Sequence, residues 1–149
     1  MCGELRVGWP LEPMPPVPHA YRLLATLPRG GVVEFPFPYT TTDFHNHARS
    51  MLLSTYHWQP LVNGYSDYIP PDFERLALPI NGFPNAESLA IMRAHDVRYV
   101  IIRAKEYGAT LDELRARFPP YAQNLHRLND DDDVWLYQIV SYPSGAPRP

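Results

Sequence analysis

Residues 83–102 read FPNAESLAIMRAHDVRYVII, and within them the period of the apolar residues changes. Leu89, Ala90 and Met92 recur at helical spacing after Asn85, whose side chain suits an N-cap, so a helix is expected over Ala86–His95. Val97–Ile102 (VRYVII) is then a short, β-branched, nearly unbroken apolar run, the pattern of a strand buried on both faces. A helix feeding a buried strand is the signature of an α/β layer.

Working outward, the same alternation repeats. His19–Leu27 is expected as a short helix carrying Tyr21, Leu24, Ala25 and Leu27, broken by Pro28-Arg29-Gly30-Gly31. Val32–Phe35 then reads as a strand ended by Pro36 and Pro38. Thr42 or Asp43 can cap a helix reaching Leu53 with Ala48, Met51 and Leu52 as its apolar side. Asp72–Leu78 is expected as a further short helix. Thr110 and Glu113 have the spacing of a capping box for a helix ending before Pro119. After LHRL (125–128) and the acidic turn NDDDD (129–133), VWLYQIV (134–140) completes an antiparallel hairpin. Val134, Leu136 and Gln138 fall on one face, and Trp135, Tyr137 and Ile139 on the other. The expected fold is a small α/β domain, a mixed β-sheet with short helices packed on it and a C-terminal hairpin. Residues 1–18 are expected as an extended lead-in with a possible short strand at Leu5–Val7, 19–140 as one domain, and 141–149 as a disordered tail.

Composition narrows the function classes. A chain of 149 residues has the length of one domain. A formal net charge of −3 with no cluster of Lys and Arg argues against a nucleic-acid partner or an anionic membrane surface. Eighteen prolines cut the chain into short elements. Cys2 is the only cysteine, which rules out an internal disulfide and a thiolate metal site. No apolar run is long enough to span a bilayer, and MCGELRVGWP lacks the pattern of a signal peptide, so the chain alone reads as cytoplasmic.

Three patterns bear on chemistry. Asp43, His45 and His47, with His57 further on, are the nearest approach to a metal site. On a helix, however, positions two apart diverge by roughly 200°, so a surface role is preferred. Asp130–Asp133 lacks the alternating ligands, glycine and terminal glutamate of a calcium loop. Ser50, Ser54, Thr55 and Ser66 are hydroxyls without a nucleophile elbow, and no glycine-rich loop offers a nucleotide cradle. No catalytic residue and no cofactor is therefore assigned.

The segment 54–71, STYHWQPLVNGYSDYIPP, is different: Tyr56, His57, Trp58, Tyr65 and Tyr68 lie among Gln59, Asn63 and Ser66. Aromatic faces beside amides are how proteins hold sugars. Tyr56, His57, Trp58, Asn63, Tyr65 and Ser66 are the candidate contacts. The competing reading is that these aromatics build core beneath a proline-rich loop. The expected compromise puts Trp58 and Leu61 inside with Tyr65 or Asn63 outward, and a positive-φ turn at Asn63-Gly64.

The order PHAYRLLATLPRGGVVEFPFP (18–38), MLLSTYHWQPLVNGYSDYIPP (51–71), FPNAESLAIMRAHDVRYVII (83–102) and VWLYQI (134–139) resembles the C-terminal soluble region of bacterial multi-pass GT-C glycosyltransferase-like membrane proteins. These are the group related to polyprenyl-phosphate-sugar mannosyltransferases. The resemblance spans about 17–140 and is most specific over His57–Ser66. It implies an extracytoplasmic, non-catalytic accessory domain, because the family's catalytic acids lie in a loop beside membrane helices that have no counterpart here. It also implies two kinds of partner: the domain's own or a partner's transmembrane region, and a glycan or lipid-linked sugar. A purely structural domain and a small metal-dependent hydrolase using Asp43, His45, His47 or His57 are the alternatives.

Overall fold

A computed structural model describes residues 16–40, 42, 43, 45–64 and 73–143, the side chain of Glu74 aside. Leu5–Val7, Tyr65, Ser66 and Tyr68 lie outside the described residues. The described residues form an α/β fold around a four-stranded mixed sheet. Its strands are β1 (Gly31–Phe35), β2 (Val97–Arg103), β3 (Leu125–Arg127) and β4 (Val134–Ile139), in the spatial order β1-β2-β4-β3. β1 and β2 run parallel, with Val33 opposite Val100 and Phe35 opposite Ile102. β4 is antiparallel to both β2 and β3, placing Leu136 opposite Ile101 and Leu125 opposite Ile139. The hairpin and both long strands therefore stand where the apolar pattern puts them.

Among the described residues five short α-helices surround the sheet: α1 (His19–Leu24), α2 (His45–Ser54), α3 (Phe73–Asn81), α4 (Ala86–Ala94) and α5 (Leu111–Ala116). On one face Val33, Phe35, Val100, Ile102, Trp135 and Ile139 pack with Ala77 and Ile80 of α3, Leu89 and Met92 of α4, and Leu114 of α5. On the other, Val32, Tyr99, Ile101, Val134 and Leu136 pack with Ala20, Tyr21 and Leu24 of α1 and with Leu53 of α2. Alternate strand residues thus feed two separate cores, which is why VRYVII carries almost no polar position.

Local signals hold in part. Asn85 caps α4 as expected, accepting from the Ser88 N–H at 2.7 Å while Ser88 Oγ accepts from the Asn85 N–H. Thr110 precedes α5 but makes no capping bond there; its hydroxyl donates back to the Tyr107 carbonyl, so the box read with Glu113 does not form. Gly31 admits no side chain, since a Cβ there would lie 2.8 Å from the Asp96 carbonyl oxygen where β1 starts beside β2. Ser141 and Tyr142, assigned above to a disordered tail, are instead tied down. Asn124 Nδ2 donates to Ser141 Oγ at 2.9 Å, and the Tyr142 hydroxyl donates to the Val97 carbonyl.

α2 reverses the sequence reading. Its buried face is His47, Ser50 and Leu53, whereas Ala48 is exposed and Met51 and Leu52 are 43% and 48% exposed. The reason lies beneath the helix. A buried charge pair, Glu34 with Arg103, faces it, and Ser50 Oγ accepts from Arg103 there, where an aliphatic side chain would offer no acceptor.

Candidate functional site

α2 carries the chain into the aromatic segment. After Ser54 the helix tightens into i→i+3 turns, with Thr55, Tyr56 and His57 N–H groups donating to Leu52, Leu53 and Ser54 carbonyls. The Trp58 N–H then reaches back to Ser54 O at 2.8 Å, and Trp58 itself takes φ 53°. This is a left-handed helix C-cap, a place where glycine is usual and where a bulky residue is strained by roughly 1–2 kcal/mol. The side chain so placed is 77% exposed, against the expectation that it would be inside. The positive φ falls here and not at Gly64, which keeps an ordinary backbone.

The amides on either side point inward. Gln59 Oε1 accepts from the Gly30 N–H at 3.0 Å, and its Nε2 donates to the carbonyls of Leu24 and Leu27. It thereby takes up free carbonyls at and just beyond the carboxyl end of α1. Residues 60–62 then run along the open edge of β1: Val32 N–H donates to Pro60 O, and Val62 N–H to Val32 O, both at 2.8 Å. Asn63 continues the pairing with its side chain, bonding both backbone groups of Glu34. Asn63 is 1% exposed, so the expected outward amide is a sheet-edge fastener. His57 is buried, stacked 6.2 Å from the Tyr21 ring, and its Nδ1 accepts from the Gln59 N–H. Burial holds its pKa down at about 4. Tyr56 is half-buried against the core beneath α1, and Leu61 sits there too. Of the six candidate contacts, Trp58 alone among those described is presented to solvent.

Beneath α2 lies the buried network. Tyr21 Oη donates to Glu34 Oε2 at 3.0 Å, and Arg103 Nη1 donates to the same oxygen and to Ser50 Oγ. Arg103 Nε donates to Glu106 Oε1, which also receives Arg49 Nη1 at 2.7 Å. Burial pushes the Glu34 carboxyl up while the Arg103 charge pulls it back. Glu34 Oε1 is buried with no partner among the described residues. No sequence motif marks this cluster, because its members come from five separate elements: α1, β1, α2, β2 and the 3-10 turn after β2.

Beside it, at the carboxyl ends of the parallel strands β1 and β2, a cleft of about 310 Å³ opens; Tyr39, Asp43, Asn46, Asn81, Arg103 and Glu106 line it. Ligands of open α/β sheets bind outside the carboxyl ends of strands. A second groove, about 390 Å³ and largely apolar, lies between Phe37, Leu61, Val62 and α3.

The histidines disperse. His45 is exposed with Nδ1 on the Thr42 carbonyl, and His47 is buried with Nε2 on the Pro38 carbonyl at 3.0 Å. His57 lies against Tyr21. Among the described residues no three of His, Cys, Asp and Glu gather as a metal site would require, and no helix is long and apolar enough to cross a membrane. Comparison of the chain with models of protein families, with curated proteins and with solved structures finds no match in any of the three.

Proposed function

We propose that this chain is a non-catalytic accessory domain of a membrane glycosyltransferase-like protein, held on the extracytoplasmic face by docking on the membrane-embedded part. The observation that carries the reading is Trp58. Its backbone is in a strained conformation, fixed between buried His57 and Gln59, and the result is an indole standing clear of the surface. Backbone strain held in place by its surroundings is often tied to function. Met51 and Leu52, exposed on the preceding helix, add apolar surface on the same stretch of chain. An exposed tryptophan with exposed aliphatic residues in the same stretch of chain suits a protein surface at the membrane interface, where one side of the ring is apolar and the indole N–H stays wet. Docking is favoured over sugar contact at Trp58 because the neighbouring amides, Gln59 and Asn63, are committed to the backbone.

Photo-crosslinking from a benzophenone side chain at position 58, in membranes of cells producing the chain, tests this. A product with a multi-pass glycosyltransferase-like protein, identified by mass spectrometry, is expected. Crosslinks confined to soluble proteins would overturn the docking.

A further inference from the structure

We infer that the cleft at the carboxyl ends of β1 and β2 is a binding site for a small polyhydroxylated ligand of about one sugar ring. Its volume, about 310 Å³, lies at the small end of ligand pockets. Several groups around it keep hydrogen-bonding capacity that no described residue takes up, in contrast to Gln59, Asn63 and Asn129, whose amides are bonded within the fold. Asp43 accepts from the Thr40 hydroxyl at Oδ2 only, leaving Oδ1 without a partner among the described residues. Asn81 spends both amide hydrogens on the carbonyls of Phe37 and Ala77, which fixes the side chain and leaves its Oδ1 open. The side-chain amide of Asn46 and the Tyr39 hydroxyl make no hydrogen bond among the described residues, and Tyr39 is 44% exposed.

The chemistry of this set selects among ligands. Of the charged groups lining the cleft, Glu106 is paired with Arg103 and Arg49 and Arg103 is also paired with Glu34, so Asp43 is left as a carboxylate with no cation partner among the described residues. An anion such as phosphate would meet repulsion. An apolar molecule would strand the open acceptors. Hydroxyl groups both donate and accept, so a ring of them can satisfy Asp43 Oδ1 and Asn81 Oδ1 as donors and Asn46 as an acceptor. The Tyr39 ring and the neighbouring prolines Pro36 and Pro38 supply the flat, weakly polar wall on which the C–H face of a sugar rests. Behind the wall, the Glu34–Arg103–Tyr21 network holds the end of β2 rigid, so Arg103 and Glu106 are fixed before a ligand arrives. The assignment does not rest on docking through Trp58, which involves other residues.

The test is a titration of the whole chain, followed by ¹H–¹⁵N correlation spectra, with methyl glucoside, methyl galactoside, methyl mannoside and N-acetylglucosamine. Sodium phosphate and ethylammonium represent the competing chemistries. At least one sugar is expected to shift the side-chain amides of Asn46 and Asn81. Asp43→Asn and Asn46→Ala, both at exposed positions, should each weaken that sugar by about tenfold or more while leaving the remaining spectrum intact. Absence of shifts with every sugar, shifts produced by phosphate or ethylammonium alone, or sugar shifts centred on the Trp58 indole would each overturn the assignment.

Discussion

The side-chain amide of Asn63 pairs with the backbone of Glu34 as a neighbouring strand would, Oδ1 accepting from the Glu34 N–H at 2.7 Å and Nδ2 donating to the Glu34 carbonyl at 2.9 Å. The contact is buried at both ends, so its loss exposes two backbone groups to an environment without water. Asn63→Ala should therefore cost roughly 2–4 kcal/mol, about twice the penalty of one unsatisfied buried group. Asn63→Asp should be at least as damaging, because a carboxylate cannot donate to the Glu34 carbonyl and would be buried near the Glu34 side chain. Urea unfolding followed by tryptophan fluorescence measures both. A loss below 1 kcal/mol for Asn63→Ala would show that the edge pairing is incidental.

Trp58 gives a prediction of opposite sign. In its left-handed cap the tryptophan pays a backbone cost that glycine does not, while its exposed ring contributes little to the core. Trp58→Gly should be as stable as the parent or slightly more so. Trp58→Ala, still confined to positive φ, should fall about 1 kcal/mol below Trp58→Gly. Thermal melts of the three proteins decide the order. Ala equal to or above Gly would mean that residue 58 is not held at positive φ in solution.

These two residues also show what the sequence could and could not convey. The sheet was legible, because VRYVII and VWLYQI carry β-branched and aromatic residues in an unbroken or alternating pattern that only a covered strand satisfies. The α4 cap was legible too, since Asn85 and Ser88 interact within one turn. α2 was not, because the face it buries is decided by Arg103, some fifty residues along the chain, and not by its own aliphatic residues. In the segment 54–64 Leu61 packs inward as its residue type suggests, whereas the directions of Trp58 and Asn63 are the reverse of that expectation. Gln59 and Asn63 resemble ligand-binding amides until the free carbonyls of α1 and the open edge of β1 are placed beside them. Of the polar cleft only Asp43 stands out in the sequence, and there beside histidines that do not share the site; Asp43, Asn81 and Glu106 converge only through the crossover between β1 and β2.

The buried ion pair permits a cleaner separation of causes. Arg103→Met leaves Glu34 fully buried without its cation and removes the donor to Ser50 and Glu106. A loss of roughly 3–5 kcal/mol is expected, the range for breaking one half of a buried pair. Glu34→Leu combined with Arg103→Met removes both charges together. The double variant should recover a large part of that loss, with Tyr21 left as the main unsatisfied partner. Chemical denaturation of the two single variants and the double variant forms the cycle. If the double variant is no more stable than Arg103→Met alone, the pair is not what holds α2 and β2 together.

His57 sets the last expectation, a dependence of stability on acidity. In the folded chain burial lowers its pKa to about 4, from an ordinary value of 6.5. The unfolded chain therefore binds a proton on His57 before the folded chain does. Its effect is absent above pH 6.5, grows as the pH falls through the interval from 6.5 to 4, and is complete below 4. The shift corresponds to a loss of up to about 3 kcal/mol across that window. His47, also lowered by burial, acts in the same direction, whereas the raised carboxyl of Glu34 opposes it. The contribution of His57 is isolated by difference. His57→Gln cannot titrate, so the gap in unfolding free energy between it and the parent should narrow, or reverse, on going from pH 7.5 to pH 4.5. A gap that stays constant across those two conditions would mean that His57 is protonated in the folded chain as readily as in the unfolded one, and that its place against Tyr21 is open to water.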